Sequence, residues 1–319
     1  MKVKNCLIFG GSGQIGRFLI RKLTKNNYRV TVVTRNIHQK GYIIKSQGNQ
    51  GWIDIKEANI FDETKIRKLF ENADICINLI GILFEQRKGN TFKNIHNIFP
   101  TFLAKLCKEY NLKHFIHLSA LGINDAIDSN YAKSKLEGEK NILNNFPIAT
   151  ILRPSLIFSV EDRLTTHFLN LLNKLPIFPL YYEGKTKFAP IHCSDVTDTI
   201  HYVISKNIYS NIIECTGPEI ITFKELIERL LKLINKKRIL IPFPLFLAKL
   251  TASVFEFMPN PLLTKDQLRL LKYDNIPSGK YKTNSDLGIP SLRFFDEEVK
   301  KYCYMWKDGG QYSKDEYKL

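Results

Sequence analysis

Tyr131 and Lys135 lie four residues apart in a segment whose pattern predicts a helix over Tyr131–Leu143, so both side chains leave one face. An ammonium beside a phenol lowers the phenol's pKa, which lets it act as general acid or base between a carbonyl and an alcohol. Ser119 ends the strand expected over His114–Leu118, just before that helix, where its hydroxyl can donate to the same oxygen. The Tyr-x-x-x-Lys spacing alone is cheap in a lysine-rich chain, and Tyr181/Lys185 and Tyr202/Lys206 repeat it. Only the Tyr131 copy combines an upstream serine with a strand–loop–helix setting. Ser119, Tyr131 and Lys135 are therefore the expected catalytic positions.

A second set of residues must hold what those three act with. The run Gly10-Gly11-Ser12-Gly13-Gln14-Ile15-Gly16 satisfies both G-x-G-x-x-G and G-x-x-G-x-x-G. It sits between a buried strand, Val3–Phe9, and apolar residues at helical spacing over Ile15–Leu23. Glycines there permit a tight turn, close backbone approach to a pyrophosphate and close packing of helix on strand. The helix start adds free N–H groups and a partial positive charge. About twenty residues on, a site for the unphosphorylated dinucleotide usually places an acid on the ribose. Here the second strand, Arg29–Val33, ends instead in Thr34-Arg35. Arg35 can pair with a 2′-phosphate and stack on adenine, and Thr34 adds a hydroxyl. The expected cofactor is NADP(H), with NADPH preferred.

The elements that position these residues read as strand–helix alternation. Asp62–Phe70 reads as a helix with Asp62 at its cap, Ile75–Ile80 as a strand, and Phe92–Tyr110 as a long helix interrupted or entered at Pro100. Ala149–Leu152 is a strand running out at Pro154, and Asn36–Gln50 reads as a polar loop. Short apolar strands alternating with helices predict an α/β fold, a Rossmann-type doubly wound parallel sheet with a smaller C-terminal lobe. The expected division is a nucleotide-binding domain over 1–158, a smaller lobe over 159–306 that returns to the main sheet, and a polar tail over 307–319. Within that lobe a strand is expected at Ile212–Cys215 and a helix at Phe223–Leu233.

The formal charge of +16 draws the chain towards phosphates, acidic partners or anionic lipid. No nucleic-acid-binding motif accompanies it, so no nucleic-acid partner is expected. Cys6, Cys76, Cys107, Cys193, Cys215 and Cys303 form no C-x-x-C pair and fall in or near apolar runs, which predicts reduced, buried thiols. His117 and His192 lie in apolar surroundings without metal-ligand spacing, and no metal is expected. The first strand begins almost at Met1, which leaves no room for a leader, and no run is apolar enough to span a membrane. A cytoplasmic protein is expected, peripheral on the inner face of the membrane.

The glycine run, Asn78-Leu79-Ile80-Gly81, Tyr131/Lys135 and Arg153-Pro154-Ser155 together resemble the extended short-chain dehydrogenase/reductases, of the NAD-dependent epimerase/dehydratase type. Within them the chain is most similar to the family of the alpha-subcomplex subunit nine of respiratory complex I. That closer resemblance rests on residues 78–83, Lys187–Asp195, Gly217-Pro218-Glu219 before Thr222-Phe223, Asp266-Gln267 and 270–275. Ala189 departs from the pattern, which has Gln before the proline. The resemblance implies cofactor contacts at Gly10, Gly11, Ser12, Gly13, Gln14, Ile15, Gly16, Thr34, Arg35, Asn59, Ile60, Leu79, Ile80, Gly81, Tyr131, Lys135 and Pro154. It also implies a tightly held NADPH in a protein that supports a large membrane complex, with some relatives linked to ubiquinone biosynthesis.

Two readings follow. The favoured one is an accessory or assembly protein of an NADH:quinone oxidoreductase, with complex I subunits or the membrane surface as partners. The other is a working NADP-dependent reductase or epimerase on a small molecule, either a quinone precursor or a sugar nucleotide. The apolar stretch Ile239–Leu263 bears on both. It reads first as lid or core of the smaller lobe, and second as an amphipathic segment for a membrane surface or partner groove.

Overall fold

The structure is a computed structural model that describes residues 3–86, 89–162, 164–258 and 261–312. Eight parallel strands form one sheet. In chain order they are β1 (Asn5–Phe9), β2 (Arg29–Thr34), β3 (Ile53–Glu57), β4 (Ile75–Asn78), β5 (His114–Leu118), β6 (Thr150–Pro154), β7 (Ile212–Cys215) and β8 (Lys282–Thr283). Their spatial order is β8-β7-β6-β5-β4-β1-β2-β3. The order reverses between β1 and β4, and in such sheets ligands bind where the carboxyl ends of those two strands part.

Side chains alternate across the pleat, so β1 feeds two cores. Cys6 and Ile8 join a cluster with Leu19, Ile20 and Leu23 of the helix Gln14–Lys25 and with Val196, Ile200 and Val203 of the helix Cys193–Ser205. Leu7 and Phe9 face the other way, towards Phe99, Leu103 and Leu106 of the helix Phe99–Glu109 and Ile142 of the helix Asn130–Asn145. All six cysteines are buried, as expected. A third cluster forms the smaller lobe, built on the helices Leu164–Lys174, Phe223–Leu233 and Phe295–Cys303.

Two expectations are corrected. Asn36–Gln50 is not a loop: Asn36 accepts from Gln39 N at 3.0 Å and caps a helix, Ile37–Lys45. That helix buries only Gly41 and Ile44, so it carries almost no apolar period for a reader to detect. The strand β3, with one buried residue in five, escapes notice for the same reason.

The second correction concerns Ile239–Leu263. Ile239–Pro242 pairs in parallel with Ile177–Leu180, and Leu245–Phe255 is a helix. It is neither core nor covered lid. The helix buries only Ala248 and Ala252, which pack with Leu268, and turns its large apolar side chains outward. An apolar run signals that surface must be covered somewhere, not by what.

Candidate nucleotide site and the comparisons with known proteins

The glycine turn is built for close approach, each glycine for a different reason. Gly10 has φ +85°, which side chains rarely adopt. A Cβ on Gly11 would lie 2.5 Å from Val32, and one on Gly16 would lie 2.4 Å from the Gly11 Cα. Those two serve the packing of helix on strand. Gly13 differs. It is exposed, its φ of −76° suits any residue, and a Cβ there meets only the Gly10 carbonyl, at 3.3 Å. Within the chain little requires glycine at 13, so the requirement falls on a ligand.

Gly13 also starts the helix Gln14–Lys25, with neither a side-chain cap nor an acid in its first turn. The helices that begin at Glu63, Asn130 and Phe223 are all capped by a side chain. An uncapped helix start on an exposed glycine turn offers its donors to an anion. Gln14 instead donates to Ser159 Oγ at 2.9 Å, and Ile15 packs into the core. Arg35 is exposed and makes no hydrogen bond or ion pair among the described residues. Thr34 is buried, its hydroxyl 3.5 Å from Asn36 N. Asn59 and Ile60 follow β3 beside it, where Ala58 N donates to Thr34 O at 3.0 Å.

The acid–base residues gather at the end of β4 and β5. Asn78 is buried, takes the Ile80 N–H on its Oδ1 at 3.1 Å and meets His117 Nδ1 at 3.2 Å. This shapes the turn Leu79–Gly81. A Cβ on Gly81 would lie 3.4 Å from Lys135 Nζ, so the two expected contact residues are neighbours. Lys135 Nζ donates to Leu118 O at 3.1 Å, which brings it beside Ser119. The Ser119 hydroxyl is buried and has no partner, an orphan that costs about 1–3 kcal/mol unless a ligand satisfies it. Pro154 closes β6 behind them, and Leu121 N donates to its carbonyl at 2.9 Å.

In the protein alone the phenol of Tyr131 is pushed up to about 12, because burial disfavours phenolate, so any lowering must come from the positive charge of a nicotinamide acting with Lys135. Its ring lies edge-on to Phe92 and His96, with centroids 5.9 and 5.2 Å away. Lys135 is also desolvated and drops to about 8, only partly offset by Glu139. Its ammonium gives one of three N–H donors to the Leu118 carbonyl.

Three residues near this group carry no motif. His96 accepts the Ile82 N–H at 3.1 Å through Nε2 and contacts Ser134 Oγ at 2.9 Å through Nδ1. Since the Ser134 hydroxyl donates to Tyr131 O at 2.7 Å, the proton of His96 sits on Nδ1. Asp266 reaches in from the smaller lobe to the start of the helix Asn130–Asn145. It accepts from Ser129 Oγ and Asn130 N at 2.8 Å and from Tyr131 N at 3.0 Å. Asn275 donates to Leu121 O at 2.7 Å, and its carbonyl accepts from Ser155 Oγ at 2.9 Å. The sequence marks 266 and 275 as part of a resemblance, but only the structure gives them work.

A family model described as the NAD dependent epimerase/dehydratase family matches residues 6–213. The chain is 29% identical to the mitochondrial NADH dehydrogenase [ubiquinone] 1 alpha subcomplex subunit 9 of Arabidopsis thaliana, over 95% of this chain and 78% of that protein. It is 28% identical to the mouse protein of the same name, over 88% and 75%. Among solved structures it superposes on a dTDP-glucose 4,6-dehydratase of Streptomyces venezuelae, solved with NAD bound, with a TM-score of 0.71. That match has 15% identity and covers 95% and 96% of the two chains. These matches support a nicotinamide dinucleotide as the cofactor, and the chain belongs to the NAD dependent epimerase/dehydratase family.

Proposed function

We propose that this chain holds NADP(H), preferring NADPH, mainly as a structural ligand, and serves as an accessory or assembly subunit of a respiratory NADH:quinone oxidoreductase on the cytoplasmic face of the membrane. One observation carries this reading. The family model stops at residue 213, whereas the similarity to the NADH dehydrogenase subunits extends over 95% of the chain and so takes in the smaller lobe. That lobe clamps the nucleotide side through Asp266 and Asn275.

On this reading residues 1–158 bind the nucleotide and 159–306 form the partner-facing lobe; most of the polar tail expected over 307–319 lies outside the described residues. The Gly10–Gly16 turn, with Ser12, Gln14 and Ile15, takes the pyrophosphate. Thr34 and Arg35 take the adenosine end with its 2′-phosphate, and Asn59 and Ile60 flank it. Leu79, Ile80, Gly81, Pro154, Tyr131 and Lys135 line the nicotinamide end. A bound nicotinamide would supply a hydride donor or acceptor. Burial keeps the phenol of Tyr131 protonated, and Lys135 Nζ is held on the Leu118 carbonyl at 3.1 Å.

The second reading, an NADP-dependent reductase or epimerase acting on a quinone precursor or sugar nucleotide, is favoured by the partnerless Ser119 hydroxyl beside Lys135. There Ser119 would hold a substrate oxygen and Tyr131 would move its proton. Purification through a tag on this chain in mild detergent tests the first reading. NADH dehydrogenase subunits should accompany it in fixed proportion. An intact complex recovered from the same membranes without this chain contradicts the assignment.

A further inference from the structure

We propose that the face built by Leu245–Phe255 and the residues just after it docks on an anionic lipid surface. Phe246, Leu250 and Val254 recur every four residues and form one strip along the helix, 71%, 62% and 61% exposed. Phe257, 91% exposed, and Met258 extend the strip past the helix end. A contiguous row of projecting apolar side chains marks a surface that something covers. The helix cannot turn the row inward, because its opposite face packs through Ala248 and Ala252.

The surrounding charge says what covers it. Beside the strip, between this helix and the short helix Lys265–Leu270, lies a pocket of about 430 Å³. Lys249, Lys265, Arg269 and Lys272 line it against one acid, Asp128. Asp128 lies 3.8 Å from Lys272, and Glu256, at the end of the apolar helix, lies 3.8 Å from Lys265. Arg269 has Asp266 at 3.4 Å, but that carboxylate is already committed to the start of the Tyr131 helix. Lys249 has no ion pair among the described residues. Projecting Phe and Leu beside cations on long aliphatic stems is the composition of an in-plane interfacial helix, with apolar groups among the acyl chains and cations at the phosphates. No helix of the described residues is long and apolar enough to cross a membrane, so this one would lie along the surface. A net charge of +16 adds long-range attraction to anionic lipid.

Flotation of the purified full chain with protein-free vesicles tests this, independently of whether it joins an NADH dehydrogenase. Vesicles of phosphatidylcholine with about one-third phosphatidylglycerol should carry it upward at low salt, and phosphatidylcholine alone far less. Phe246→Glu with Leu250→Glu should cut binding more than tenfold without changing the melting temperature, since both side chains are already in solvent. Lys249→Gln and Lys272→Gln should each weaken it about fivefold. Absence of binding to the anionic vesicles overturns the proposal, as does binding that the double variant leaves unchanged. Self-association or capture of solubilised NADH dehydrogenase that the double variant abolishes, with no vesicle binding, assigns the face to protein and overturns it equally.

Discussion

At Arg35 an exposed guanidinium stands after β2 with no carboxylate to hold it, at the position where an acid would favour the unphosphorylated dinucleotide. A charge-assisted bidentate pair with a 2′-phosphate is worth roughly 1.5–3 kcal/mol. Titration should therefore show NADPH binding about ten- to a hundredfold more tightly than NADH, with Arg35→Asp removing or reversing the difference. Equal affinities in the wild type would contradict the assignment. His96 makes a second residue-scale prediction. Burial and the Lys135 charge hold it down to about 2, and its Nε2 must stay unprotonated to accept the Ile82 N–H. Above about pH 6.5 it is neutral folded or unfolded and adds no pH dependence. Below that the unfolded chain takes up a proton that the folded one refuses, so stability falls as pH falls, by about 2 kcal/mol at pH 5. His117 and His192 are also lowered by burial, so the informative quantity is a difference. Urea unfolding of His96→Gln should give a shallower loss than wild type between pH 7 and 5, and identical slopes would rule the account out.

The helix Asn130–Asn145 is the element on which the site depends, and three fixings hold it. Gly138 lets it approach so closely that a Cβ there would lie 1.9 Å from the His96 carbonyl. Pro100 has no N–H for that carbonyl, and the chain passes the point in a π-helical turn, Lys93–Ile98. Glu139 meets Arg153 of β6 in a buried bidentate pair, at 3.0 and 2.5 Å. The third is Asp266 at the helix start. Removing it strands two backbone donors and a favourable charge at the positive end of the helix. Asp266→Ala should cost about 2–3 kcal/mol of stability and speed amide exchange at Asn130 and Tyr131, while Asp266→Asn keeps part of both. Unchanged exchange at those two amides would show that the lobe does not position the helix. This element was expected over Tyr131–Leu143 and runs over Asn130–Asn145, one residue earlier and two later, with Ser129 as its cap. The helix Ile37–Lys45 was not expected, because it has little to bury.

Across the whole molecule, what the sequence made legible was whatever short-range chemistry specifies. The glycine turn, the buried strands and Tyr131/Lys135 announce themselves within a few residues. The approach of Asp266 to Tyr131 N, 135 positions apart, and of Asn275 to Leu121 O, 154 apart, is a property of the closed chain. So is the raised phenol, which depends on Phe92 and His96 arriving from another helix. The outward face of Leu245–Phe255 stood only as the second of two readings, since hydrophobicity does not report which side of a helix the rest of the fold takes. The central claim, that the nucleotide is a structural ligand, is tested most directly by how much of this chain enters assembled NADH dehydrogenase in cells carrying single variants. Gly13→Val puts its Cβ against a single neighbour, the Gly10 carbonyl at 3.3 Å, and blocks the approach of a pyrophosphate, so a melting curve confirms that the variant is folded. Tyr131→Phe removes only a hydroxyl beside the nicotinamide. The account predicts that Gly13→Val abolishes incorporation and Tyr131→Phe leaves it nearly normal. Normal incorporation of the Gly13→Val protein, or loss of one metabolic step in both variants while incorporation stays normal, would contradict it, the latter showing that the chain is an enzyme rather than a support.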